Sequence, residues 1–99
     1  MLNIIKNAED SALQVTLEGR LDTTTAPQLE SQLMGSLNGV TNLNMDFEKL
    51  EYISSAGLRV LLSAHKALHG KGKMKVVNPN EIVQEVFEVT GFDNILTIE

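Results

Sequence analysis

Hydrophobic and polar positions along this chain switch between two periods, and the switches mark out its elements. Residues 2–6 form a short apolar-rich run, read as a first strand from Leu2 to Lys6, and the polar segment Asn7 to Ser11 turns the chain. From Ala12 to Glu18 the pattern alternates strictly, with Leu13, Val15 and Leu17 on one face, which predicts a half-buried strand. The period then becomes helical: Ala26, Leu29, Leu33 and Leu37 share one side. Thr25 and Gln28 fit a capping box, Pro27 is tolerated in the first turn, and Asn38-Gly39 stops the helix. A third strand is predicted over Asn42 to Phe47, with Leu43, Met45 and Phe47 alternating, followed by a short polar link and the turn Ser54-Ser55-Ala56-Gly57.

The second helix is predicted from about Gly57 to His69, with Leu58, Leu61, Leu62, His65 and Leu68 along one side and Gly70 and Gly72 as its stop. A fourth strand covers Met74 to Val77. Asn78-Pro79-Asn80-Glu81 then combines a cap, a proline at the first helical position and a glutamate at the box position. Ile82, Val83, Val86 and Phe87 form the inner side of the third helix, Gly91 ends it, and Ile95 to Ile98 make a last strand. The order β-β-α-β-α-β-α-β predicts one α/β domain over residues 1–99, a mixed, mostly parallel sheet with helices packed against it. The first two strands, joined by a short link, are expected to be antiparallel; the later ones, joined through helices, parallel.

Composition narrows what such a domain can do. Ninety-nine residues hold one core, which buries roughly two-thirds of the unfolded surface. At 42% apolar but only 4% aromatic residues, Leu, Val, Ile and Met must fill it. The net charge of −5, with no basic cluster, argues against nucleic acid and against an anionic membrane surface. Absence of cysteine excludes disulfides and thiolate metal sites. No basic-then-apolar leader and no run of roughly 18 apolar residues is present, so the expectation is a cytoplasmic module without a membrane span.

Candidate chemistry concentrates at Ser54 and Ser55. A hydroxyl at a helix start either caps the helix, the ordinary role of serine there, or carries a phosphate that the free backbone amides and the positive end of the macrodipole stabilise. Arg59 lies one turn beyond Ser55. It reads as a solvated surface arginine that an i, i+4 spacing would let reach such a phosphate. Asp22, between the second strand and the first helix, reads as an Asx-turn or cap residue.

Catalytic readings fail on geometry. Ser55 lacks a G-x-S-x-G setting, and His65 lies ten residues along the same helix, roughly 15 Å away at 1.5 Å per residue. The Ser63-Ala64-His65-Lys66 match to S-x-x-K lacks its companion motifs. His65 and His69 stand at i, i+4 without the H-E-x-x-H pattern of a zinc site, and the glycines form no nucleotide-binding fingerprint. No catalytic residue, metal or cofactor is therefore assigned.

Three stretches together resemble a known family. They are Gly19-Arg20-Leu21-Asp22-Thr23-Thr24-Thr25-Ala26-Pro27-Gln28-Leu29; Leu43-x-Met45-Asp46-Phe47 with Ile53-Ser54-Ser55-Ala56-Gly57-Leu58; and Val76-Val77-Asn78-Pro79 with Val86-Phe87 and Gly91-Phe92. The chain resembles the STAS domain, and within it the bacterial anti-sigma factor antagonists. The resemblance implies a binding switch, not an enzyme. In that family an anti-sigma factor that is also a serine kinase phosphorylates a serine at a helix start. The unphosphorylated form holds the kinase and frees a sigma factor, and a metal-dependent, PP2C-like phosphatase reverses the mark.

Aligning Gly57-Leu58 with the motif puts the phosphoacceptor on Ser55 and the partner surface on Asp22, Ser54, Ser55 and Arg59. The best-known members carry an aspartate where this chain has Ser54, which leaves Ser54 as the alternative phosphosite. The other reading of the resemblance is a non-phosphorylated STAS scaffold or transporter-associated subunit.

Overall fold

The computed structural model describes residues 1–99. Strands β1 (Leu2–Glu9) and β2 (Ala12–Leu21) form a hairpin, followed by α1 (Ala26–Met34), β3 (Asn42–Ile53), α2 (Ser55–Leu68), β4 (Lys73–Val77), α3 (Glu81–Thr90), a 3-10 turn at Phe92–Asn94 and β5 (Thr97–Ile98). The five strands lie in the order β1-β2-β3-β4-β5, with β1 antiparallel to β2 and every later pair parallel. Right-handed crossovers between successive neighbours put all three helices on one face.

The alternation read from the sequence builds that one-sided arrangement. Leu13, Val15, Leu17 and Leu21 of β2, Leu43 and Met45 of β3, and Met74 and Val76 of β4 are buried beneath the helices. Gln14, Thr16, Asn44, Asp46 and Lys75 occupy the other face. Asn44 there donates to Gln14 Oε1 at 2.7 Å. The core is a single cluster of 24 residues, and its two largest members, Phe47 and Phe87, stack with ring centroids 6.2 Å apart. That contact docks α3 onto β3.

Several boundaries differ from the sequence reading. The hairpin continues to Glu9 and turns over Asp10-Ser11, since cross-strand pairing carries polar residues that have no apolar alternation of their own. β3 runs on to Ile53, so the polar link after Phe47 is strand. Two register shifts against β2 explain why the pattern broke there: Thr16 pairs with Asp46 but Glu18 with Lys49, and Gly19 with Leu50 but Arg20 with Tyr52. Each leaves an additional residue in β3 and resets which side faces inward, so Phe47, Leu50 and Ile53 are all buried at a spacing of three.

Helix ends were also misread. α1 stops at Met34 with Gly35 as its cap, short of Asn38-Gly39, although Leu37 remains buried. α2 starts at Ser55, two residues before the expected Gly57, and buries Val60 and Ala64 as well as Leu58, Leu61 and Leu68 because it packs against both the sheet and α1. Leu62 and His65 are half-buried. The cap of α3 is Asn80, with Pro79 before it and Glu81 as the first helical residue. Asn80 Oδ1 accepts from the Val83 amide at 2.8 Å while its Nδ2 donates to the Leu50 carbonyl at 3.0 Å, tying the helix start to the overhanging part of β3. Ile82 lies outside the core, 57% exposed.

Candidate functional site

β2 and β3 end level with each other, Leu21 opposite Ile53, and the Ser54 amide donates to the Leu21 carbonyl at 2.9 Å. Asp22 and the two serines consequently share one rim, at the carboxyl ends of parallel strands where α/β sheets present their sites. The helix that starts here fits closely against the rim. A Cβ on Gly57 would lie 2.6 Å from Leu21 Cγ and 2.9 Å from Ile53 Cγ1, so a residue without a side chain is required for α2 to begin at this point.

The adjacent serines have different roles. Ser54 is in the extended conformation at the N-cap, and its Oγ accepts from the Gly57 amide at 3.4 Å. Ser55 is the first helical residue, exposed, with no side-chain hydrogen bond. Its hydroxyl stands beside the amides of Ser55 and Ala56, which have no intrahelical partner. The first turn carries no acidic residue, while His65 and Lys66 in the last turn complement the macrodipole. The cap is thus Ser54, and Ser55 has no structural task. An aspartate or a serine serves almost equally as a cap, so Ser54 preserves the helix start that an aspartate would make.

Asp22 forms the adjoining corner. Its Oδ1 accepts from the Thr24 hydroxyl at 2.7 Å, the Thr24 amide at 3.0 Å and the Thr25 amide at 3.1 Å. The Thr25 hydroxyl accepts from the Asp22 amide at 2.8 Å and donates to the Arg20 carbonyl at 2.9 Å. The expected Thr25–Gln28 capping box is absent. Thr25 makes no cap bond, because its hydroxyl is spent on this turn; the amide of the first helical residue, Ala26, donates instead to the Asp22 carbonyl at 2.8 Å. Gln28 reaches instead toward the Leu2 carbonyl, 3.4 Å away. The Thr24 hydroxyl, foremost, and the Thr24 and Thr25 amides hold the Asp22 carboxyl below its ordinary value, against a smaller opposing effect of partial desolvation. Arg20 Nε lies 4.0 Å from Oδ2 and adds little, since both groups are in contact with water.

Arg59 is exposed, one turn along α2, and forms no ion pair within the chain. It lines a shallow groove of about 210 Å³ between the starts of α1 and α2, together with Thr23, Pro27, Glu30 and Ala56. Asp22, Ser54, Ser55 and Arg59 are therefore gathered around one rim. The sequence reading missed Arg20 and Tyr52, whose side chains also meet there, the Arg20 guanidinium carbon 4.6 Å from the Tyr52 ring centroid. Only the bulged register of β3 sets them opposite each other, and no local pattern reveals it. His65 and His69 border a separate pocket near β4, and no cluster of three metal-ligating side chains exists. No helix is long and apolar enough to cross a membrane.

The arrangement is that of a small α/β module whose chemistry is an exposed hydroxyl at a helix start. A profile described as the STAS domain matches residues 3–99, and the chain belongs to that family. BtrV of Bordetella bronchiseptica, named as a candidate anti-sigma factor antagonist, is 36% identical over 91 residues, 90% of this chain and 78% of that protein. The anti-sigma-B factor antagonist of Staphylococcus aureus is 27% identical, covering 98% and 92% of the two chains. Among solved structures, an anti-sigma factor antagonist from Mycobacterium paratuberculosis superposes with a TM-score of 0.90 at 22% identity, over 99% of this chain and 85% of that one. The phosphorylated form of the Bacillus cell fate determinant SpoIIAA gives 0.77 at 20% identity, over 98% and 91%. At such identities these structures speak for the fold.

Proposed function

We propose that this protein is an anti-sigma factor antagonist whose unphosphorylated form holds an anti-sigma factor serine kinase and so frees a sigma factor, with Ser55 as the phosphoacceptor and a PP2C-like phosphatase restoring the free hydroxyl. It acts as a binding switch, not as an enzyme, and works in the cytoplasm with its kinase. The observation that carries this reading is the division of labour at the start of α2: Ser54 takes the cap, so the Ser55 hydroxyl is exposed and unengaged. The names of the relatives supply the partner class.

The switch is electrostatic. Phosphorylation replaces a small neutral hydroxyl by about −1.5 to −2 charges at neutral pH. The helix start and Arg59 tolerate this charge in the free protein, so the fold persists. Docking would strip water from the phosphate without matching partners, which costs several kcal/mol, and each 1.4 kcal/mol is tenfold in affinity.

The test uses the anti-sigma factor kinases of the source organism, purified, with and without Mg-ATP. Phosphopeptide mapping should place the mark on Ser55. Ser55→Ala should bind the kinase constitutively and stay unmodified. Ser55→Asp should bind about a hundredfold more weakly than wild type, or somewhat less weakly, since aspartate has one charge and two oxygens. Equal affinity of wild type, Ser55→Ala and Ser55→Asp would sink the switch and leave a constitutive STAS scaffold or transporter-associated subunit as the reading.

A further inference from the structure

The chain has two arginines, Arg20 and Arg59, and both stand at the rim that carries Ser55. Arg59 lines the groove between α1 and α2. Arg20 has surroundings unusual for a solvated arginine. Its guanidinium lies over the ring of Tyr52, the only tyrosine in the chain, at 4.6 Å. Its side chain is 52% exposed and donates no hydrogen bond within the protein. Its one ion-pair contact is with Asp22, 4.0 Å away through Nε, and Asp22 keeps only Oδ2 free because Oδ1 is committed to Thr24 and Thr25. Stacking fixes the plane of the guanidinium and leaves its edge donors directed to water.

We propose that Arg20, held by Tyr52, is a specificity-determining docking residue: it takes a carboxylate on the partner's surface, and with Asp22 it forms an ordered plus–minus pair that a partner must match with a minus–plus pair. This rests on the reading of the protein as an antagonist that docks a kinase through the Ser55 rim, and it names chemistry that the partner must carry.

Three properties support it. Arg and Tyr are the residue types enriched where binding energy concentrates, and here they are pre-assembled, so little rotamer freedom remains to be lost on docking. Proximity is built into the backbone: Arg20 precedes Leu21, whose carbonyl receives the Ser54 amide, and Tyr52 lies two residues before Ser54, so the Arg20–Tyr52 pair sits at the same end of the sheet as Ser55. Arg20 is a local positive spot on a chain of net charge −5, so a partner chosen by overall charge alone would present the wrong group to it. A reversed charge at this one point suppresses such partners, because a like-charge contact or an unmatched charge there costs affinity.

The experiment measures affinity for the anti-sigma factor kinase that binds wild type, at two salt concentrations, with melting curves alongside. Arg20→Glu should weaken binding at least tenfold, Arg20→Gln by less, and Tyr52→Leu by several-fold because Arg20 loses its support. The weakening by Arg20→Glu should shrink at high salt. The Arg20 variants should melt within a few degrees of wild type, since the side chain is largely in water. A kinase variant in which the facing carboxylate is replaced by lysine should regain affinity for Arg20→Glu while losing it for wild type. Wild-type affinity in Arg20→Glu, for a kinase that does discriminate Ser55→Asp, would overturn the proposal and leave the switch standing. Failure of every such kinase to bind wild type would overturn the antagonist reading and this proposal with it.

Discussion

Replacing each serine at the start of α2 by alanine separates their roles, and the structure sets the size of the difference. Ser54→Ala removes the cap acceptor of the Gly57 amide. Losing an N-cap costs roughly 0.5–2 kcal/mol. The bond here is 3.4 Å, beyond the usual 2.7–3.2 Å range, so the lower half applies, about 0.5–1 kcal/mol. For a domain near this size, 1 kcal/mol moves the melting temperature by about 4–8 °C, so a fall of about 2–8 °C is expected. Ser55→Ala removes an exposed hydroxyl with no partner, from a helical position where alanine is the better former. Its stability should stay within about 0.5 kcal/mol of wild type. Phosphorylation should show the opposite pattern: Ser54→Ala remains a substrate and Ser55→Ala does not. Ser54→Asp, which restores a cap acceptor, should melt close to wild type and still be phosphorylated. Calorimetry and in vitro phosphorylation of the same preparations decide it. A Ser55→Ala protein destabilised as much as Ser54→Ala, or a mark that persists in Ser55→Ala and vanishes in Ser54→Ala, would refute the assignment and move the phosphosite to Ser54.

Two further outcomes follow from the same rim. Gly57→Ala drives a methyl to 2.6 Å from Leu21 Cγ, and overpacking of this kind costs about 1–3 kcal/mol, against a helix-propensity gain of at most about 1 kcal/mol; a melting temperature at or above wild type would show that α2 slides freely on the sheet. Asp22 has a lowered folded-state pKa, so its ionised form contributes stability that is fully present above the ordinary aspartate value of about 4 and is lost as pH falls through the lower folded value. Asn keeps the acceptor oxygen but not the charge, so the stability gap between wild type and Asp22→Asn, measured by urea unfolding, should be constant from pH 7 to about 5 and close below about pH 4; a gap that stays open in acid would mean that the carboxyl's hydrogen bonds do not prefer its ionised form.

The elements that were legible in the sequence are those where one chemical period runs without interruption. Leu13-Val15-Leu17 and Leu43-Met45-Phe47 define strands by alternation, and Gly91 at φ 80° ends α3 where its glycine predicts. The candidate site was legible because a helix start follows a strand end, and that join needs only local residues. What escaped were details of register and capping, where a residue has more than one partner to choose from. The Glu48–Tyr52 stretch is polar by itself and becomes strand because β2 supplies partners. Thr25 looks like a cap until Asp22 and the Arg20 carbonyl claim its hydroxyl. Asn80 rather than Asn78 caps α3, and its amide also has to satisfy a carbonyl thirty residues away. In each case two hydrogen-bonding arrangements of similar strength compete, across the sheet for β3 and Asn80 and within the turn of residues 20–25 for Thr25, and sequence spacing does not encode which one wins.

The bonds at the end of β3 bear on how the proposed switch could alter the surface without altering the fold. β3 is twelve residues long and β4 five, so the last turns of β3 extend beyond β4, held by β2 on one side and by Asn80 on the other. The two irregularities in β3 adjust its length so that it finishes level with β2, and Gly57 lets the helix start directly against that end. Every backbone or side-chain group that this junction needs is supplied by Leu21, Ser54, Gly57 and the Asp22 turn. Ser55 is left outside that set. A phosphate added there meets unsatisfied amides and the positive end of a fourteen-residue helix, an interaction typically worth about 0.3–1 kcal/mol in favour of the charge. On the proposed switch, the free protein would gain slightly from a modification whose main energetic consequence, several kcal/mol of unmatched desolvation, would fall on the complex. The switch proposed above would need no second conformation on this account: its two states would differ in what the rim can bury, on a sheet end whose own hydrogen bonds do not involve the Ser55 hydroxyl.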